Sequence, residues 1–160
     1  MMRTNVDSQH FIAPFVDANT KPKESDWMKV AAGLTSITDG TEETSQERNY
    51  LDGERTNAIT AISWAYSFAG DFNPDIPVHE YIDSIRLKTT GGRKVWYRVI
   101  RSDMKKQWEG HATVSEIKVA DGEADDLESL EFKVRYDHIP EESTPGATLA
   151  KAAETKNTTK

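Results

Sequence analysis

Eleven residues, Ile59–Ala69, constrain the fold more than any others. Ile62, Trp64, Tyr66 and Phe68 recur at every second position, and Ala61, Ser63, Ala65, Ser67 and Ala69 fill the positions between. A period of two sends the two sets to opposite sides of an extended chain. The segment therefore predicts one strand over 59–69 with a bulky face and a nearly bald one, which another surface can approach closely. Pro77 then suits the first turn of a helix. Val78, Tyr81, Ile82 and Ile85 form a single apolar stripe, which predicts a helix over 77–88 lying on a sheet, with His79 and Glu80 on its outer side. Gly91-Gly92 turns the chain into a strand, Lys94–Arg101, apolar on both faces and so central or at an interface.

The flanking sequence is also β-rich. Trp27–Leu34 is a short strand candidate. Lys105–Val119 alternates as one strand, with a bulge expected near Gly110. Leu130, Phe132, Val134 and Tyr136 alternate with charged residues, giving a strand with one core face. Between the first strand and Ile59 lies a long polar stretch, Thr35–Arg55, containing the turn signals Asp39-Gly40 and Asp52-Gly53. It reads as a long hairpin or a protruding loop. Residues 1–23 read as an extended arm, whose apolar cluster Phe11, Ile12, Phe15 and Val16 is interrupted by Pro14. The domain proper spans 24–140, and 141–160 read as a flexible tail. The chain of 160 residues is thus one mainly β domain with a single helix.

Few chemistries survive inspection. The chain has no cysteine, which removes disulfides, thiolate metal sites and cysteine nucleophiles. His10, His79, His111 and His138 are scattered without metal-ligand spacing and are expected at the surface. The acidic run Asp121–Asp126 lacks the glycine and closing glutamate of a calcium loop. Gly91-Gly92-Arg93-Lys94 lacks the spacing of a phosphate loop. No catalytic, cofactor-binding or metal-binding residue is therefore assigned, and an enzyme is not expected. A formal net charge of -7 argues against a surface that grips phosphates. No apolar run reaches the ~18 residues of a membrane span. The aromatics Trp64, Tyr66, Trp96, Tyr97 and Trp108 are expected in the core or at a subunit interface. A stacking platform, for example for carbohydrate, is the alternative.

The order of elements, with Gly33-Leu34-Thr35-Ser36-Ile37-Thr38-Asp39-Gly40-Thr41-Glu42-Glu43, Asn49-Tyr50-Leu51-Asp52-Gly53 and Ser63-Trp64-Ala65-Tyr66-Ser67-Phe68-Ala69-Gly70, resembles the tail tube (major tail) proteins of long-tailed bacteriophages. The resemblance covers roughly residues 20 to 140. It implies two packed antiparallel sheets, a sandwich or barrel, flanked by one helix. It implies homo-hexameric rings stacked into a hollow tube in the virion tail, made in the host cytoplasm, through which DNA passes without specific binding. Tape measure, tail terminator and baseplate proteins would be its other partners, and no membrane is involved. Contacts between subunits or rings would fall on Phe11, Ile12, Phe15, Val16, Asp39, Glu42, Glu43, Glu47 and Tyr50. An acidic lumen would draw on Glu42, Glu43, Glu47, Asp52, Glu131 and Asp137. The tube protein of type VI secretion is similar in the same way. A monomeric β-sandwich binding module is the reading from another class.

Overall fold

The structure, a computed structural model, describes residues 2–145. It is mainly β with one helix, as the sequence predicts. Among the described residues ten strands run in chain order: β1 (Gln9–Pro14), β2 (Met28–Lys29), β3 (Leu34–Asp39), β4 (Glu42–Asn49), β5 (Arg55–Ser63), β6 (Ala65–Asp71), β7 (Lys94–Ile100), β8 (Gln107–Val119), β9 (Ser129–Tyr136) and β10 (Glu141–Ser143). The helix α1 (Pro77–Ile85) lies between β6 and β7. One sheet has the order β2-β1-β7-β8-β9-β6-β3, with β10 on an edge of β8; β4 and β5 form a separate two-stranded sheet. All pairings are antiparallel.

The large sheet curls over on itself. β1 and β6 are four strand positions apart in it, which in a flat sheet would be roughly 19 Å at ~4.8 Å per strand. Yet the His10 ring on β1 lies 5.1 Å from Tyr66 and 5.3 Å from Phe68 on β6. The two layers that face each other across the core are thus the two ends of a single sheet. Between them sit Ile12, Tyr97, Val114, Phe132, Val134 and Tyr136, joined by Val78, Ile82 and Ile85 from the helix stripe. β9 alternates as its sequence predicts, with Leu130, Phe132, Val134 and Tyr136 buried.

Several expectations are corrected. The strand over 59–69 is two strands: the chain leaves the hairpin after Ser63 and enters the large sheet at Ala65. Of Trp27–Leu34 only Met28–Lys29 forms a strand of its own, because the chain turns at Ala31–Leu34 through Gly33, whose φ is +77°, and Leu34 already begins β3. The bulge of β8 falls between Ser115 and Lys118, where Glu116 takes a φ of +53°, and not near Gly110. Gly110 instead pairs regularly with Tyr97; a side chain there would meet Pro140 at 3.3 Å. The presumed arm contains β1, an interior strand between β2 and β7. Pro14 is tolerated because β2 pairs only with Phe11 and Ile12, so no neighbour awaits an N–H on that side. The presumed tail begins with β10, which pairs Glu141–Ser143 with Gln107–Glu109; residues 146–160 of it lie outside the described residues.

Two histidines expected at the surface are buried. His79 is fully enclosed; its Nδ1 accepts the Asn73 amide at 3.0 Å and its Nε2 reaches the Ala32 carbonyl at 2.9 Å. It thereby ties the loop before α1 to the turn before β3, and burial lowers its pKa. His10, in the core, is hydrogen-bonded through Nδ1 to the Tyr97 hydroxyl at 2.6 Å, and burial pushes its pKa down to about 4.

Candidate assembly surface

The hairpin β4–β5 projects from the domain and touches it only near its root, where Arg135 reaches Glu42 and Ser63. Every residue of Glu42–Asn49 is exposed, and so is every residue of Arg55–Ile62. The sequence builds it from local signals. At its root, Asp39 accepts the Thr41 amide at 2.9 Å, and the Gly40 amide donates to the Ala65 carbonyl at 2.9 Å. At its tip, Asp52 accepts the Glu54 amide at 3.0 Å, and Gly53 turns the chain with a φ of +89°. Such Asx turns close a hairpin without help from packing. The strands then carry one ladder between them and leave both outer edges unpaired among the described residues.

A bulge decides what the hairpin shows. Thr44 pairs with Ala61 but Ser45 pairs with Ile59, so Thr60 is the extra residue. Without it, Ile59 and Ile62 would alternate to opposite faces. With it, both stand on the face of Glu43, Ser45 and Glu47, at 58% and 50% exposure. The opposite face carries Glu42, Thr44, Gln46, Arg48, Ala58 and Ala61. At the root, Ile62, Trp64, Tyr136 and the exposed Ile139 line a cleft of about 330 Å³. Leu51 and Tyr50 are exposed at the tip. An isolated two-stranded hairpin is marginal in water, and exposed apolar groups on one usually await a partner.

The residues expected to make contacts fall in two places. Glu42, Glu43, Glu47 and Tyr50 are on the hairpin, and Asp39 forms its root. Phe11, Ile12 and Phe15 are engaged within the chain itself. Ile12 is fully buried in the core, so its assignment as an intersubunit contact is corrected. Phe15 packs against Trp96 and His111, with ring centroids 6.5 and 5.7 Å away. Val16, at 77% exposure, remains free. The segment that follows is held down by Arg98, which pairs with Glu109 at 2.7 Å and Glu24 at 3.2 Å, and lies 4.3 Å from the Trp27 ring.

The six acidic candidates for a lumen do not form one patch. Glu42, Glu43 and Glu47 divide between the two hairpin faces, and Asp52 is at its tip. Glu131 is on the outer face of β9 opposite Lys118, and Asp137 follows β9, accepting the Thr113 hydroxyl at 2.7 Å. Glu42 pairs with Arg135 at 3.3 Å and Glu47 with Arg55 at 3.9 Å. The outer face of β3, β6, β9 and β8 is small and mixed in charge: Ser36, Thr38, Ser67 and Ala69 form a shallow floor between Glu131, Lys118 and Lys133.

Sequence reasoning missed Ile59, Ile139 and Leu87 as exposed apolar groups. Only the broken period of apolar residues between Ile59 and Ile62 hinted at the bulge. The five aromatics do not make a platform: Trp96 and Tyr97 are buried, and Trp64 packs against Trp108 at 5.3 Å and Tyr66 at 5.6 Å. Among the described residues no group of His, Asp and Glu could hold a metal ion, and no helix is long and apolar enough to cross a membrane.

No protein-family model matches the chain, and no curated protein matches it in sequence. Solved structures share its fold. One is a chain from the tail of an empty gene transfer agent (GTA) particle with C6 symmetry, at a TM-score of 0.65 and 18% identity over 89% of this chain and 99% of that one. Another comes from the PVC sheath–tube complex of an extracellular contractile injection system in its extended state, at 0.51 and 12% over 85% and 88%. A third comes from the baseplate of the anti-feeding prophage (AFP), 6-fold symmetrised, at 0.51 and 10% over 86% and 93%. At these identities the likeness is one of fold.

Proposed function

We propose that the chain is the repeating subunit of a hollow tail tube. Six copies close into a ring, rings stack, and DNA passes along the channel without being held. The observation that carries this reading is the exposed hairpin with two unpaired edges and two isoleucines on one face. A neighbouring copy that adds strands or packs side chains there removes the hazard that such edges present. The fold it shares with chains of C6-symmetric and 6-fold symmetrised tails and baseplates supports six as the ring number.

The place of the protein is then a virion tail, with a tape measure, a tail terminator and a baseplate as its other contacts. The small, mixed-charge face of β3, β6, β9 and β8 suits a channel wall, since it offers phosphates no continuous positive track. The likeness to a sheath–tube complex supports a second setting, in which the tube sits inside a contractile sheath. Negative-stain electron microscopy of the concentrated protein tests the proposal: rings or tubes with a central hole are expected, and a monodisperse small particle under all conditions refutes it.

A further inference from the structure

We infer that the acidic hairpin of one copy docks on a basic corner at the C-terminal end of α1 in the next copy. The inference rests on the tube reading above and names the surface that receives the hairpin. After Ile85 the chain leaves the helix through Arg86, Leu87 and Lys88. Leu87 is 90% exposed. Arg86, Lys88, Arg93 and Lys94 surround it in sequence, and no Asp or Glu occurs between positions 86 and 94. In a chain of net charge -7 this is a local reversal of sign.

The corner is also shaped. The Arg93 guanidinium donates to the main-chain carbonyls of Lys88, at 2.9 Å, and Arg86. Both carbonyls lie at or just past the end of α1, where no helical N–H reaches them. Their capture fixes the turn that presents Leu87. One acid, Asp83, is nearby, 3.6 Å from Arg86. The corner is thus an exposed leucine flanked in the chain by Arg86 and Lys88, with the Arg93 guanidinium bonded to the turn that carries it; Lys94 instead lies over the Phe15 ring.

The hairpin offers the reverse. Ile59 and Ile62 share a face with Glu43 and Glu47 because of the Thr60 bulge. Glu47 is held only loosely, by Arg55 at 3.9 Å, and Glu43 has no ion pair among the described residues. Two isoleucines sharing a face with carboxylates complement a leucine whose chain neighbours are Arg86 and Lys88 and whose turn is held by Arg93. An apolar centre with a charged rim is the common anatomy of a protein contact, and opposite charges set its register and speed its formation. The two surfaces differ and lie on different elements of one chain. The contact is therefore heterologous, and its repetition generates a ring or an open filament.

The absence of native cysteines makes the test direct. The double variants Ile59→Cys/Leu87→Cys and Ile62→Cys/Leu87→Cys are oxidised under assembling conditions and run on a denaturing gel. At least one should give a reducible ladder extending beyond the dimer, because each copy supplies one partner to each neighbour. The single variants should stop at the dimer. Ile59→Cys/Leu127→Cys, which places the second thiol on another exposed leucine, should give no ladder. Tubes in micrographs without a ladder from either pair would overturn the docking and leave the tube reading standing. A protein that stays monomeric before any substitution would overturn both.

Discussion

The curled sheet and the hairpin are made of the same kind of strand, yet they obey different rules. In the sheet, β9 buries Leu130, Phe132, Val134 and Tyr136, and each strand from β1 to β6 in the sheet order has at least two neighbours. In the hairpin, eight consecutive residues of β4 are all exposed and each strand has one neighbour. The sheet is specified by burial, so one misplaced residue would turn its apolar set to water. The hairpin is specified by two Asx turns and one bulge, which fix its shape without fixing its stability. A region of that kind makes sense as half of a contact. Under the proposed tube assembly, exposure along a whole strand pair is what a surface covered by a neighbouring copy would show.

Substitutions should separate the regions sharply. Phe132→Ala removes a ring that is 2% exposed and stacked on Phe68 at 5.1 Å. It should cost about 3–5 kcal/mol, read as a lower midpoint in urea unfolding. Gly70→Ala should cost on the order of 2–4 kcal/mol by overpacking, because the new Cβ would run into the Gly33 carbonyl oxygen and lie 2.5 Å from the Leu34 Cα. A loss equal to that of a surface change would show that β3 is not seated as described.

The core also carries a pH signature. Burial lowers the His10 pKa to about 4 from an ordinary value near 6.5, so the fold favours the neutral ring. Its contribution is complete above pH 6.5 and drains away as pH falls toward 4, by about 3 kcal/mol at most. Carboxylates titrate in the lower part of that window too. The informative quantity is therefore the difference from His10→Phe, which should lose less stability between pH 6.5 and 4. Equal slopes for the two proteins would contradict the buried neutral histidine.

The smallest effect on folding belongs to the hairpin. Ile59→Ser should change unfolding free energy by no more than about 0.5 kcal/mol, since the side chain is already 58% exposed. The same change should impair assembly in light scattering. A large loss of monomer stability would mean that the hairpin packs on its own domain.

Much of the sheet was legible because its periods are local. The alternation of Leu130–Tyr136, the apolar run of Lys94–Ile100 and the stripe of Val78, Ile82 and Ile85 each identify an element and its inward face. What was not legible depends on pairing. Ile62, Trp64, Tyr66 and Phe68 keep a period of two while the chain passes from one sheet to the other, so nothing local marks the break at Trp64. β1 is a core strand only because β7 lies beside it, and its Pro14 reads locally as an interruption. The burial of His10 and His79 is equally a matter of what folds over them. Of the candidate surface, the turn signals at Asp39-Gly40 and Asp52-Gly53 located the projection. The Thr60 bulge, which brings the isoleucines together, required the register.

Excision of the hairpin is the most direct trial of the claim that it serves assembly and not folding. The Gly40 amide already reaches the Ala65 carbonyl at 2.9 Å, so a two-residue Gly-Ser link can replace residues 42–63. Sedimentation velocity and thermal unfolding of the shortened chain, beside the full chain, should show a folded monomer of nearly unchanged stability that no longer forms rings or tubes. Polymers persisting after the excision, or a chain that fails to fold without the hairpin, would contradict the account.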